Sequence, residues 1–193
     1  AMTKVRIILW SIVAVAIAIV GGFWISERGQ LPVAATRLPA AETVLADFEL
    51  TDHNGMMRTD EEFRGRWMLV CPMGLATIAQ AMDDLGAEGE AVQPLFITVD
   101  PERDTPSVLA NYIPQFGPSI LGLSGPQEQT QQTAKAFKVY YQRNEDESAP
   151  DGYTMGHTSS FLLFDPQGEF VRIYEYDLDS SQIASDLQQR IGS

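Results

Sequence analysis

Two short runs without a charge, Trp67-Met68-Leu69-Val70 and VQPLFITV at 92 to 99, flank a stretch whose apolar residues fall at helical spacing. That alternation restricts the fold more than any other feature. A strand apolar on both faces needs cover on both, which is the situation of a central strand in an α/β sheet. Between the runs, Leu75, Ile78, Ala79, Met82 and Leu85 make one buried helical face, and Gly86 ends it. Strand, helix and strand in that order give a βαβ unit.

The flanks extend the pattern. FELTDHNGMMRTDEEF, 48 to 63, places Asn54-Gly55 between two short runs, which predicts a hairpin with a type I′ turn. Thr105-Pro106 caps a second helix, with Leu109, Tyr112, Ile113 and Phe116 along one side. Gly125-Pro126 opens a Gln-rich helix ending near Lys138. The last third reads as a strand VYYQ, an acidic loop EDESAPDG, and a hairpin of YTMGHTSSFLLF and EFVRIYEY about the turn DPQG. A closing helix, SSQIASDLQQRI, carries Ile183, Leu187 and Ile191 four apart. A β-hairpin, then βαβα, then ββα predicts an α/β sandwich of thioredoxin type over residues 46–193.

The N-terminal segment sets the expected location. Ile7 to Ile25 carries no charge, and as a helix it spans roughly 28 Å, enough for a hydrocarbon core. Trp10, Phe23 and Trp24 lie near its ends, where interfacial aromatics are favoured. Lys4 and Arg6 precede it, so residues 1–25 read as a short cytoplasmic tail and one transmembrane helix. A cleaved signal peptide is the alternative. Its apolar core would be unusually long, and the small residues PVAAT lie far beyond it. Residues 26–45, rich in Ala and Pro, read as a tether. The formal net charge of −13 argues against binding a nucleic-acid backbone.

Cys71 is the only cysteine, which rules out an intrachain disulfide and zinc cages built from paired cysteines. Its place before Pro72, at a strand-to-helix junction, predicts a helix N-cap position where the thiolate is stabilised. A buried inert thiol is the competing reading. His157, in GHTSSF, is the second candidate, because thiolate and imidazole together suit copper. Asp100 and Asp104 follow a strand end where sites form in α/β sheets, although capping and turn formation account for them equally well. Met73 and Met155 are possible soft ligands, and His53 reads as a solvated turn residue rather than a ligand.

ITVDPERDT, then GLSG, AKAFKVYYQ and YTMGHTSSFLLFDPQGEF stand in an order that resembles the Sco/SenC copper-chaperone family, from about Phe48 to the C-terminus. The anchor and tether resemble that family's layout too. The resemblance implies a thioredoxin-like domain binding one copper ion through a CxxxCP motif and a distant histidine. It also implies a role in assembling the dinuclear copper centre of cytochrome c oxidase, with that centre's subunit as partner. By position Cys71-Pro72 matches the second cysteine and its proline, and His157 the histidine, so Cys71 and His157 are the metal ligands it implies. With the anchor, it implies a bacterial inner-membrane protein whose domain faces the periplasm.

The chain departs from that pattern where Val70 joins Cys71 directly. Roughly ten residues, including the first cysteine and the end of a core strand, are absent. Intramolecular dithiol–disulfide exchange needs two thiols and is excluded. The strand is expected to end early and leave Leu95 and Ile97 partly uncovered, and copper binding to be impaired. Two other readings stand beside the metallochaperone: a one-cysteine thiol peroxidase, and a docking domain that has lost its metal. RGRWMLVC lacks the Pro and Thr that such peroxidases carry shortly before the reactive cysteine.

Overall fold

The structure is a computed structural model that describes residue 44, residues 46–72 and residues 74–192. The apolar run from Ile7 to Ile25, the tether apart from Val44, and Met73 lie outside them. Among the described residues no helix is long and apolar enough to cross a membrane.

The two charge-free runs form neighbouring parallel strands, β3 (Trp67–Cys71) and β4 (Val92–Ile97), in register from Trp67 opposite Val92 to Cys71 opposite Phe96. The helix between them is α1 (Leu75–Leu85), and Gly86 is its C-cap as the periodicity predicts. The hairpin strands are β1 (Glu49–Asp52) and β2 (Met57–Thr59), followed by a 3-10 turn over Asp60–Phe63. Next come α2 (Pro106–Tyr112), β5 (Leu121–Ser124) and α3 (Gln127–Ala136), then β6 (Tyr141–Glu145) and β7 (Tyr153–His157). The chain closes with β8 (Ser160–Phe164), β9 (Phe170–Glu175) and α4 (Ser180–Ile191). Seven strands make one mixed sheet in the order β2-β1-β5-β4-β3-β8-β9, while β6 and β7 form a separate two-stranded sheet.

Alternation along β3 distributes the core. Leu69 and Cys71 point to one face, into a cluster with Ile78 and Leu85 of α1, Leu109 of α2 and Ile183 and Leu187 of α4. Each such aliphatic side chain contributes about 1.5–3 kcal/mol on full burial. The other face carries a run of aromatic rings, Phe63, Phe48, Phe137, Phe164 and Phe170, with successive centroids 5.4 to 6.2 Å apart. Asp186 fastens α4 to β9, accepting from Tyr174 Oη at 2.6 Å, Arg172 at 2.9 Å and Arg190 at 2.7 Å. Burial pushes that carboxyl up, but the bonds from Arg190 and Tyr174 outweigh it and hold it below the usual carboxylate range.

Several expectations need correction. The β1–β2 turn is not type I′, since that turn requires positive φ at two successive residues and only Gly55, at φ +83°, has it. Gly55 N–H donates to the Asp52 carbonyl at 2.9 Å, so Asp52 to Gly55 is a tight turn ending in a left-handed glycine. The buried Asp52 carboxylate takes over the turn, accepting from the N–H groups of Asn54 and Met56 and from Arg58 Nε. Tyr112 is 45% exposed and leaves the core side to Leu109 of α2 and to Ile113, which opens the 3-10 turn after it. YTMGHTSSFLLF is not one strand: β7 pairs with β6 and β8 joins the main sheet beside β3. Finally, Leu95 and Ile97 are 0% and 6% exposed, so the early end of β3 does not uncover them. Phe137, Val139 and α3 close over that end of the sheet, leaving only a shallow cleft lined by Val70, Pro72, Ile97 and Val99.

Candidate functional site

Cys71 is the last residue of β3, not a helix N-cap. The N-cap of α1 is Gly74, three residues on, with φ +100°, a conformation that suits only glycine there. A Cβ on Gly74 would stand 2.9 Å from the Phe161 ring and 3.6 Å from Cys71 Sγ, so the glycine also makes room for those two side chains. Cys71 and Pro72 are both buried, and Cys71 lies completely within the apolar cluster. The sequence correctly placed a thiol where the first charge-free strand ends. It misplaced the helix start because Pro72 suits a first helical turn as well as it suits the turn before one.

His157 arrives at the same end of β3. Strand β8 runs antiparallel to β3 with Met68, Leu69 and Val70 opposite Phe164, Leu163 and Leu162. Continuing that register sets Cys71 opposite Phe161, and His157 lies four residues before Phe161 in the chain. His157 is the last residue of β7, opposite Tyr141, and half-buried. Its Nδ1 lies 3.1 Å from the Thr158 carbonyl oxygen. A carbonyl only accepts, so Nδ1 carries a proton, and in the neutral ring Nε2 keeps its lone pair. An imidazole whose other nitrogen donates to a backbone carbonyl is the usual form of a metal-ligating histidine.

His53 has the opposite tautomer. The Gly122 N–H donates to His53 Nδ1 at 3.1 Å, so in the neutral ring the proton sits on Nε2, which has no lone pair for a metal. His53 N–H also donates to the Gly122 carbonyl at 2.8 Å, which makes this histidine a brace between the first hairpin and β5. It is not a ligand, and neither is it merely a solvated turn residue.

The aspartates following β4 are structural. Thr98 Oγ1 donates to Asp104 at 2.7 Å and accepts from Asp100 N–H at 2.9 Å, while Thr105, not Asp104, caps α2. The Asp100 carboxylate accepts from Tyr153 Oη at 2.8 Å, and that bond, with burial, pushes the phenol's pKa up. Tyr153 was missed in the sequence. Its signal was the period-two alternation Tyr153, Met155, His157, which puts all three on the inward face of β7. Met155 therefore shares a face with His157. Among the described residues no group of three or more His, Cys, Asp and Glu converges as a metal cage. The candidate donors left are the Cys71 thiol, the His157 imidazole and the Met155 thioether, types that suit Cu(I).

A family model described as SCO1/SenC matches residues 36–192. The mitochondrial SCO2 homolog of Bos taurus is 34% identical over 190 residues, covering 90% of this chain and 71% of its own. The mitochondrial SCO1 homolog of Homo sapiens is 35% identical over 155 residues, covering 72% and 50%. Among solved structures, Bradyrhizobium japonicum ScoI with copper bound superposes with a TM-score of 0.67 at 32% identity, covering 76% of this chain and 98% of that one. Yeast Sco1 with copper bound gives a TM-score of 0.69 at 28% identity, covering 78% and 90%.

Proposed function

The chain belongs to the SCO1/SenC family, and on that premise we propose that it is a copper-binding metallochaperone of reduced affinity, tied to the membrane by residues 7–25. Cys71 Sγ and His157 Nε2 are the ligands, Met155 or water completes the coordination, and copper is cargo. The recipient is the copper-centre subunit of cytochrome c oxidase, and the domain works on the periplasmic side of a bacterial inner membrane. The observation that carries the reading is the 3.1 Å approach of His157 Nδ1 to the Thr158 carbonyl oxygen, which in the neutral ring leaves the Nε2 lone pair for a metal. Copper-bound structures of the ScoI and Sco1 relatives support the choice of metal.

The peroxidase reading is weaker on physical grounds. A peroxidatic thiol must be an accessible thiolate in electropositive surroundings, and Cys71 is buried among apolar side chains. Arg66, close to it in sequence, turns away to bond Gln93 and the Val92 carbonyl beside the opposite end of β3.

Nitrogen-15 NMR of the two imidazoles under Cu(I) titration tests the assignment. At one equivalent, the His157 Nε2 resonance is expected to shift strongly while both nitrogens of His53 stay in place. Movement of neither ring would leave the metal-free docking domain as the better reading. The anchor is tested by fractionation. Full-length protein is expected in the membrane fraction after alkaline carbonate washing, because the charge-free run Ile7 to Ile25 would span roughly 28 Å as a helix, enough for a hydrocarbon core. Recovery as a shortened soluble species would favour the signal peptide.

A further inference from the structure

The two-stranded sheet that carries His157 has no ladder bonds to the main sheet, and an isolated hairpin is marginally stable in water. Something else must hold it. Tyr153, at the far end of β7, is buried, Met155 and His157 on the same face are half-buried, and Thr154 and Gly156 between them are exposed. Tyr153 Oη donates to Asp100 Oδ2 at 2.8 Å. Asp100 is itself immobilised: its N–H bonds Thr98 Oγ1 at 2.9 Å, and its carbonyl accepts from Asp104 N–H at 2.8 Å. From the partner strand β6, the Arg143 guanidinium lies 3.7 Å from the centre of the Tyr153 ring and pairs with Glu102 at 3.7 Å. The loop after β4 thus holds β7 through a buried hydrogen bond and the Arg103 guanidinium 5.8 Å from the Tyr153 ring centre, and meets β6 through the exposed Glu102–Arg143 pair, while the Arg143–Tyr153 stacking ties the two strands to each other.

We propose that Tyr153 and Asp100 are positioning residues for His157: their bond fixes the β6–β7 hairpin, and with it the Nδ1–Thr158 carbonyl bond that leaves the Nε2 lone pair available. This rests on the reading of His157 as a copper ligand. Four residues of strand, about 13 Å, separate Tyr153 from His157, so the hairpin acts as a rigid arm clamped at one end. Its other end is closed by the Thr158 N–H bond to the Tyr140 carbonyl at 2.8 Å.

The test is Tyr153→Phe in the full chain, which keeps the ring and the Arg143 stacking and removes only the hydroxyl. In copper-free protein, amides of 141–145 and 153–157 are expected to exchange about tenfold faster or more, with β3, β4 and β8 unchanged. The His157 nitrogen-15 shifts should move toward a tautomer mixture. Cu(I) affinity should fall about tenfold, and Tyr153→Phe should add nothing further in a His157→Ala background. Asp100→Asn keeps an amide oxygen that still accepts from the phenol, so it should lie much nearer the parent. Unchanged exchange and tautomer, or unchanged copper affinity in a parent that binds copper, would overturn the proposal. A parent that takes up no copper sinks the copper reading alone, and the copper-free measurements still decide the positioning.

Discussion

His157→Ala is expected to reduce Cu(I) binding to background in competition with a chelator, and Cys71→Ser to do the same, whereas His53→Ala binds as the parent does. The asymmetry follows from hydrogen bonding. His53 spends its Nδ1 lone pair on the Gly122 N–H and presents a protonated Nε2, so it cannot stand in when His157 is removed. No second thiol exists to replace Cys71. Disturbing even an outer partner of a metal ligand typically costs about 10- to 100-fold in affinity. Removing one of two strong ligands should cost at least that. Cys71 also packs in the core, so the serine variant needs a thermal melt alongside; His157, half-buried on the hairpin, is the cleaner arm. Copper retained at parental affinity by His157→Ala would sink the ligand assignment.

The legible part of the fold was the part governed by burial. β3, α1, β4 and α4 were readable because apolar residues recur at periods that only one packing satisfies. The ends of elements were less readable, since they depend on single hydrogen bonds and φ angles. Pro72 and Gly74 could each open a helix, and the left-handed φ of Gly74 beside the Phe161 ring decided between them. The β6–β7 pairing was hidden for another reason: Gln142, Arg143, Asn144 and Glu145 are exposed and polar, with the composition of a loop. What makes them a strand is the partner Tyr153 to His157, anchored by an aspartate 53 residues upstream of the tyrosine. The candidate ligands Cys71 and His157 were named from residue type and resemblance. The tautomers that separate His157 from His53 are tertiary facts, since one bond comes from a strand 69 residues away.

Cys71 is expected to react with an aromatic disulfide reagent at least about 100-fold more slowly in the folded protein than in denaturant. Its side chain lies in a central strand, with Phe161 on one side and the α1 face above, and it is 0% exposed. Reagent can reach it only when the chain around Pro72 opens, and opening of core elements ranges up to the global stability. An opening free energy of about 3 kcal/mol already suppresses the rate about 100-fold, at 1.4 kcal/mol per factor of ten. The same opening burdens copper. A ligand that binds only a minor conformation has its apparent dissociation constant multiplied by the inverse of that population, so a site populated at about one in a hundred binds about 100-fold more weakly than its donors allow. The reduced affinity proposed for this chain then has two separable sources, a missing thiolate and a buried one. Gly74→Ala separates them. The new methyl cannot coexist with the Phe161 ring at 2.9 Å and imposes a strained φ, so it should loosen the segment after Cys71 and raise thiol reactivity. If burial limits copper binding, the affinity of Gly74→Ala rises with its thiol reactivity. If it falls while reactivity rises, the closed end of β3 is part of the binding geometry rather than an obstacle to it.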